Sequence, residues 1–179
     1  FRGGTTDPFM ISWPVKYPGN GELRHQYGHA IDMVPTVLDM LGMEPPDTIK
    51  GVEQIDMDGV SLAHTLADPD GSDVHKTQYF EMIGDHAIYH DGWMLSTKVV
   101  RLPWDNSGKA DKNPASWPWQ LYDLSKDWTQ FSDVSAEYPE KVRELEKLFW
   151  EEAERNQVLP MDTTTFTRAI LPRPNLTAG

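Results

Sequence analysis

Apolar residues recur at helical spacing in the first quarter of the chain. Between residues 27 and 41 they fall three or four positions apart, which predicts a helix with one apolar face. Pro35 suits the first turn of its main part, where a missing N–H costs no hydrogen bond, and Gly42 suits the position just past its end. The apolar positions are Ile31, Val34, Leu38 and Leu41.

A second apolar stripe predicts a longer helix over residues 139–156. Pro139 suits the first helical position, and Glu137 and Glu140 complement the positive end of the helix dipole. Because such a stripe must be buried against another element, we expect this helix to cover one face of a sheet. The stripe consists of Tyr138, Val142, Leu145 and Phe149.

The region before this helix has the turn residues and alternation of a small antiparallel sheet. Asp91-Gly92 stands between two β-rich runs, and this pair favours a tight hairpin because Gly tolerates a positive φ. The predicted strands are residues 77–82, 87–90, 93–96 and 119–124.

The start of the chain predicts a different kind of strand. Residues 9–14 are almost continuously apolar and follow a Gly3-Gly4 turn, as in a strand buried on both faces of an α/β domain. This is an internal connection, so we expect the chain to be part of a larger protein. Residues 15–26 and 43–75 have the composition of loops, with one short helix predicted at residues 61–66.

These elements divide the chain near residue 70. Residues 1–70 hold the strand and helix expected of the C-terminal part of an α/β domain. Residues 71–156 hold the antiparallel sheet and the helix that covers it. Residues 157–179 contain three Pro and no clear period, and we interpret them as an extended tail that leads to a further region.

Charge and composition exclude several classes of function. The formal net charge is −12 and no run of Lys or Arg forms a basic patch, so a nucleic-acid partner is not expected. The absence of Cys excludes disulfides and a thiol nucleophile within these residues. No stretch approaches the ~20 apolar residues of a membrane span, so a membrane partner is not expected either.

Histidines and acidic residues supply the candidate chemical groups. His29 and Asp32 lie three apart on the first predicted helix, so they can serve a metal or a base; we favour a histidine held by a local carboxylate. His86 follows a Gly between two strands, where loops present polar groups to clefts, and it is the one candidate for substrate binding. His90 lies beside the hairpin turn and is expected to be solvated.

Neither a metal site nor a catalytic centre is predicted within the chain. Glu53, Asp56 and Asp58 form a loose acidic loop without the spacing of a calcium-binding loop. No nucleophile elbow, phosphate-binding loop or zinc-binding helix motif occurs. We therefore assign no catalytic residue and no metal ligand.

Five segments, taken in order, resemble the C-terminal third of type I sulfatases, which belong to the alkaline-phosphatase-like superfamily. Residues 2–14 resemble the family's GG-x-x-x-P-x-hydrophobic-WP segment, and residues 29–42 its H-x-x-D-x-x-P-T helix. Residues 58–62 match DG-x-S-L. Residues 79–93 and 121–124 resemble the YFE…G-x-R-A-I…G-x-W stretch and the LYDL strand. The resemblance covers most of residues 1–156, and the tail is similar to that of the longer bacterial arylsulfatases.

The resemblance implies an α/β fold of the sulfatase type, of which this chain is a fragment. It holds the last strand and helix of the large α/β domain, then the small antiparallel sheet packed by a long C-terminal helix. It also implies a sulfuric ester hydrolase that cleaves a small-molecule sulfate ester with a calcium ion and a formylglycine nucleophile. The family's C/S-x-P-x-R motif and metal ligands do not map onto these residues. The catalytic part and both cofactors are therefore expected outside this chain.

The sequence also departs from the family pattern at two places. Phe1-Arg2 stands where the family often has a Glu, and His86 replaces the commoner Arg of G-x-R-A, giving a pH-dependent donor instead of a permanent cation. A phosphodiester or phosphonate monoester hydrolase of the same superfamily stays open as a function, and so does a non-catalytic binding module. The sequence does not decide between the cytoplasm and the periplasm of a bacterium.

Overall fold

The computed structural model describes residues 6–19, 21–97, 113–161 and 163. It divides into two compact units. The first unit is Asp7–Gln78, and most of the second follows from Tyr79 onward.

The first unit is built around one helix. A 3-10 turn, Ala30–Asp32, continues directly into helix α1, Met33–Leu41, and Pro35 lies in its first turn. Gly42 ends the helix with a φ of 63°, in the left-handed conformation that Gly adopts without steric cost. The predicted C-terminal end is therefore confirmed.

The helix begins later than the sequence pattern predicts. His29 has extended backbone angles and caps the turn: the Asp32 side chain accepts the backbone N–H of His29, and the His29 side chain accepts that of Ile31. The predicted start at residue 27 is wrong because this cap holds the preceding chain in an extended conformation.

Short elements follow α1. Strands β1, Thr48–Ile49, and β2, Val52–Glu53, form a hairpin that the sequence analysis did not predict. Its turn residues Lys50 and Gly51 both have positive φ. Helix α2, His64–Ala67, overlaps the short helix predicted at residues 61–66.

The strand predicted at residues 9–14 does not form. Trp13 makes one isolated bridge to Tyr17, and Phe9 and Met10 are 55% and 92% exposed. A strand needs a neighbour for its backbone N–H and C=O groups, and within the described residues no strand pairs with this segment.

The second unit is a four-stranded sheet covered by one helix. Its strands are β3, Thr77–Met82, which begins in the last two residues of the first unit, β4, Asp85–His90, β5, Trp93–Thr97, and β6, Trp119–Asp123. They lie side by side in the order β3-β4-β5-β6, with β4, β5 and β6 paired antiparallel. Asp91 and Gly92 join β4 to β5 with φ of 43° and 81°, which confirms the predicted hairpin.

Helix α3, Pro139–Arg155, covers one face of this sheet, as predicted. The core between them consists of fully buried side chains from both layers, with neighbouring strands contributing residues that lie directly opposite one another. These core residues are Ile88, Leu95, Leu121, Leu145, Phe149 and Ala153. In the described part of the chain, no helix has the length and apolar content needed to cross a membrane.

Candidate functional site

The carboxylate of Asp32 is the centre of a buried polar cluster in the first unit. Its side chain is 0% exposed, and it accepts the backbone N–H of His29 at 2.7 Å and that of Val60 at 2.8 Å. The Nδ1 atom of His75 lies 2.7 and 2.8 Å from its two oxygens. Three donors thus replace the water that a buried carboxylate loses.

Thr36, one turn further along the chain than Asp32, makes a second link between α1 and the segment that follows Gly59. Its hydroxyl donates to the backbone oxygen of Asp32 at 2.6 Å and accepts the backbone N–H of Leu62 at 2.9 Å. Gly59 lies so close to the backbone of Ile31 that a Cβ atom would collide with it. The H-x-x-D-x-x-P-T helix and the DG-x-S-L segment therefore pack directly against each other.

The structure places both members of the predicted His29–Asp32 pair at one site. The contact between them is made by the backbone of His29 and not by its imidazole. Asp32 accepts the backbone N–H of His29, while the imidazole against its carboxylate belongs to His75. The His29 ring centroid lies 6.4 Å from that of His75. Burial lowers the pKa of His29, the charge of His75 lowers it further, and Asp32 partly offsets both effects.

His86 lies in the interior of the second unit. Its ring is 3% exposed and stacks on Phe149 at a centroid distance of 4.7 Å, with the edge contact of Trp119 at 4.6 Å. Trp117 and Trp150 complete an aromatic cage around it. Trp119 lies on β6, Phe149 and Trp150 lie on α3, and Trp117 precedes β6. The packing of the sheet against α3 therefore positions the ring of His86.

The hydrogen bonds of His86 define its protonation. Nδ1 lies 2.6 Å from the carbonyl oxygen of Gly84, and since a carbonyl only accepts, Nδ1 carries the proton. Nε2 is buried and has no hydrogen-bond partner among the described residues. Burial lowers the pKa of His86, against smaller opposing effects of the Gly84 carbonyl, Glu81 and Glu146. Its role in substrate binding stays a prediction.

The remaining candidates lie apart from both clusters. His90 is half-buried beside the hairpin turn, with its Nε2 3.8 Å from a carboxylate oxygen of Asp91. Glu53, Asp56 and Asp58 are exposed. Within the described ranges no three His, Asp or Glu side chains come close enough together to hold a metal ion.

A shallow surface cavity of about 530 Å³ lies in the second unit. Asn113 is the one polar side chain among its described lining residues, so these residues supply no charge to an anionic ligand. The others are Pro114, Ala115, Trp150, Leu159, Pro160 and Met161.

Sequence reasoning missed His75, although it is the ionisable group in closest contact with Asp32. The two residues are 43 positions apart, and neither local periodicity nor a motif connects them. The one available signal was its place two residues before a predicted strand, which does not distinguish it from other loop histidines.

Replacing Thr36 should separate the role of its hydroxyl from that of its volume. Thr36→Val keeps the shape but leaves the N–H of Leu62 without an acceptor, so we expect a loss of about 1–3 kcal/mol in the free energy of unfolding. Thr36→Ser keeps the hydroxyl and should recover most of that loss. Urea denaturation of the three proteins measures this; equal losses in both variants would contradict it.

The buried imidazole of His86 should make the protein less stable in acid. Because its folded-state pKa is lowered, the neutral form is needed in the fold, so stability is lost as pH falls below the unfolded value of about 6.5. His86→Phe fills the cage without titrating and should flatten the pH dependence measured by denaturation between pH 7.5 and 5.5. His90→Gln, at the half-buried histidine, serves as the control and should leave the slope unchanged.

Comparison with known proteins identifies relatives of most of the chain. No protein-family model matches it. It is 26% identical to Arylsulfatase K of Xenopus laevis over 156 residues, which cover 82% of this chain and 26% of that protein. It is 33% identical to N-acetylgalactosamine-6-sulfatase of Sus scrofa over 57 residues, which cover 32% of this chain and 10% of that protein.

Solved structures agree with the fold. The structure of Ps i-CgsB matches with a TM-score of 0.51 at 17% identity, over 81% of this chain and 28% of that one. At this identity the match supports the fold and nothing further.

The chain thus spans about a quarter of the length of the arylsulfatase that it matches. Two of the resembling motifs, the helix that contains Asp32 and the segment that contains Gly59, are in direct contact in the structure. Over most of its length the chain is therefore similar to part of an arylsulfatase, in agreement with the motifs that resemble the C-terminal third of sulfatases.

Proposed function

We propose that the protein to which this chain belongs is a sulfuric ester hydrolase, and that this chain is its C-terminal scaffold. The observation that carries the proposal is the similarity to Arylsulfatase K, which extends over 82% of the chain. The relatives matched by sequence are named as sulfatases, so a sulfate ester is favoured over a phosphate or phosphonate ester as substrate.

The catalytic chemistry is proposed to come from a part of the protein outside this chain. Cleavage of an anionic ester needs fixed positive charge or a metal where negative charge develops. The residues described here do not fit calcium, because no three of their acidic or histidine side chains come together and Asp32 is committed to backbone and imidazole donors. A metal ion and a formylglycine nucleophile are therefore assigned to the part of the protein outside this chain.

The net charge of the chain also supports a catalytic part that lies outside it. At −12 it disfavours the approach of an anionic substrate, so attraction of the substrate has to come from local positive groups. One relative is named for a sulfated amino sugar, and we propose a sulfated sugar or aryl sulfate as the substrate class.

The apolar face of α1 is proposed to pack against that catalytic part. On the polar side of the helix, Asp32 and Thr36 accept backbone N–H groups of residues 60 and 62 in the same unit. Its apolar side is open, with Val34 58% and Val37 54% exposed. A contiguous apolar surface of this kind in a soluble protein marks an interaction site. Met33 and Leu41 extend the same face.

Assays of sulfate and phosphate esters test the proposed activity. We expect the protein together with its catalytic part to hydrolyse an aryl sulfate faster than the matching aryl phosphate, and residues 1–179 alone to show no turnover above background. Preference for the phosphate ester would support the alternative hydrolase. Turnover of aryl sulfate by residues 1–179 alone would refute the scaffold role.

Charged substitutions on α1 test the proposed contact. Val34→Asp with Val37→Asp should reduce the yield and activity of the protein that includes its catalytic part, because two carboxylates would be buried without partners. The same pair should reduce aggregation of residues 1–179 on their own. Val34→Leu with Val37→Leu keeps the face apolar and is the matched control. Unchanged yield and activity in the Asp variant would contradict the contact.

A further inference from the structure

Two large aromatic side chains are exposed in the connection between β6 and α3. Trp128 is 64% exposed and Phe131 is 81% exposed. They belong to residues 127–132 of the second unit, which we call the aromatic turn. A single exposed apolar side chain is ordinary on a protein surface, but two large rings within one short turn form an apolar patch. Apolar patches with a polar rim mark sites of interaction.

The carboxylate of Asp127 fixes the shape of the aromatic turn. Its Oδ2 atom accepts the backbone N–H of Phe131 and that of Ser132, both at 2.7 Å. Its Oδ1 atom accepts the hydroxyl of Thr129 at 2.6 Å and the backbone N–H of the same residue at 3.2 Å. The bond from Ser132 lowers the pKa of Asp127 most, followed by the hydroxyl of Thr129, so the side chain is ionised at neutral pH. The turn therefore holds a negative charge beside its two rings.

Gln130 anchors the aromatic turn between its two exposed rings. It is 7% exposed and has a φ of 57°, in the left-handed region that is sterically disfavoured for residues other than Gly. Such a conformation persists only where the surrounding structure fixes it. The backbone of the turn thus buries residue 130 while Trp128 and Phe131 stay exposed, so both rings are presented to solvent by an ordered segment.

The charges around the aromatic turn favour a cationic ligand. Residues 123–137 contain four carboxylates, and their one basic side chain, Lys126, lies 2.7 Å from a carboxylate oxygen of Asp123. Among cationic groups, the arginine guanidinium also stacks on aromatic faces, and Trp and Arg are both enriched at the energetic centres of protein interfaces. The same negative charge disfavours an anionic membrane surface or a sulfated sugar at this place.

We propose that the aromatic turn is a docking surface for an arginine-bearing segment of another protein. The guanidinium stacks on the rings of Trp128 and Phe131, and the neighbouring carboxylates attract its charge. A second copy of this chain is a poor source of that arginine, because each arginine in the described part of the chain is paired with a glutamate of its own chain. These arginines are Arg24, Arg143 and Arg155. The surface is additional to the open face of α1, which belongs to the first unit.

Calorimetric titration of the purified protein with hexaarginine and with hexalysine tests the proposal. At about 0.1 M salt, which screens attraction beyond about 10 Å, hexaarginine should bind more tightly because its guanidinium groups stack on the rings. Trp128→Ser with Phe131→Ser should weaken the binding of hexaarginine about tenfold, since two exposed cation–π contacts are lost. The same double variant should lose the preference for hexaarginine over hexalysine.

Control variants separate stacking from net charge. Phe9→Ser, at a phenylalanine of the first unit that is 55% exposed, should leave both affinities unchanged. Trp128→Phe with Phe131→Tyr keeps two rings and should keep the preference for hexaarginine. Equal affinity of the unmodified protein and the Ser double variant for hexaarginine would overturn the proposal. So would a Ser double variant that keeps this affinity but loses self-association, or binding to phosphatidylcholine vesicles or to maltohexaose.

NMR of the unmodified protein gives a second measurement that does not depend on a variant that folds. On addition of hexaarginine, the ring protons of Trp128 and Phe131 should shift, because guanidinium groups are placed over the ring faces. The ring protons of Phe9 should not shift. Shifts confined to residues outside the aromatic turn would show that the peptide binds elsewhere and would refute the assignment of this surface.

Discussion

The arrangement of the first unit depends on one buried carboxylate. Asp32 holds the N-terminus of α1, the DG-x-S-L segment and the imidazole of His75 at a single point, and each attachment is a hydrogen bond to an anion. Hydrogen bonds to a buried charge are stronger than neutral ones, and leaving that charge without a donor is costly. The unit is thus organised by polar contacts, while the apolar side of α1 stays exposed.

The second unit is organised in the opposite way. Its sheet and α3 enclose a cluster of apolar side chains, and the imidazole of His86 is buried beside this cluster among aromatic rings. Burial disfavours charge on His86 and lowers its pKa, whereas the ring of His75 lies 2.7 Å from the carboxylate of Asp32. These two buried histidines therefore have opposite surroundings, aromatic around His86 and polar around His75.

These features agree with the proposed supporting role in a sulfuric ester hydrolase. The helix and the DG-x-S-L segment pack against each other, and within the described residues no three acidic or histidine side chains come together to hold a metal ion. The open apolar face of α1 is the part of this scaffold that we propose to meet the catalytic part. Such a face stabilises a protein only when another surface covers it, because apolar side chains contribute to stability when they are removed from water.

The sequence by itself determined the elements whose causes are local. The hairpin at Asp91-Gly92 and the cap at Gly42 follow from backbone angles that Gly adopts, and the stripe through Leu145 and Phe149 follows from helical spacing. It also supplied the motifs that resemble sulfatases. The tertiary structure decided what depends on distant neighbours: residues 9–14 form no strand without a partner, and His75 reaches Asp32 across 43 positions. Burial and hydrogen-bond partners determine whether a histidine is charged. Both depend on the tertiary structure, so the pattern of residues along the chain does not predict them.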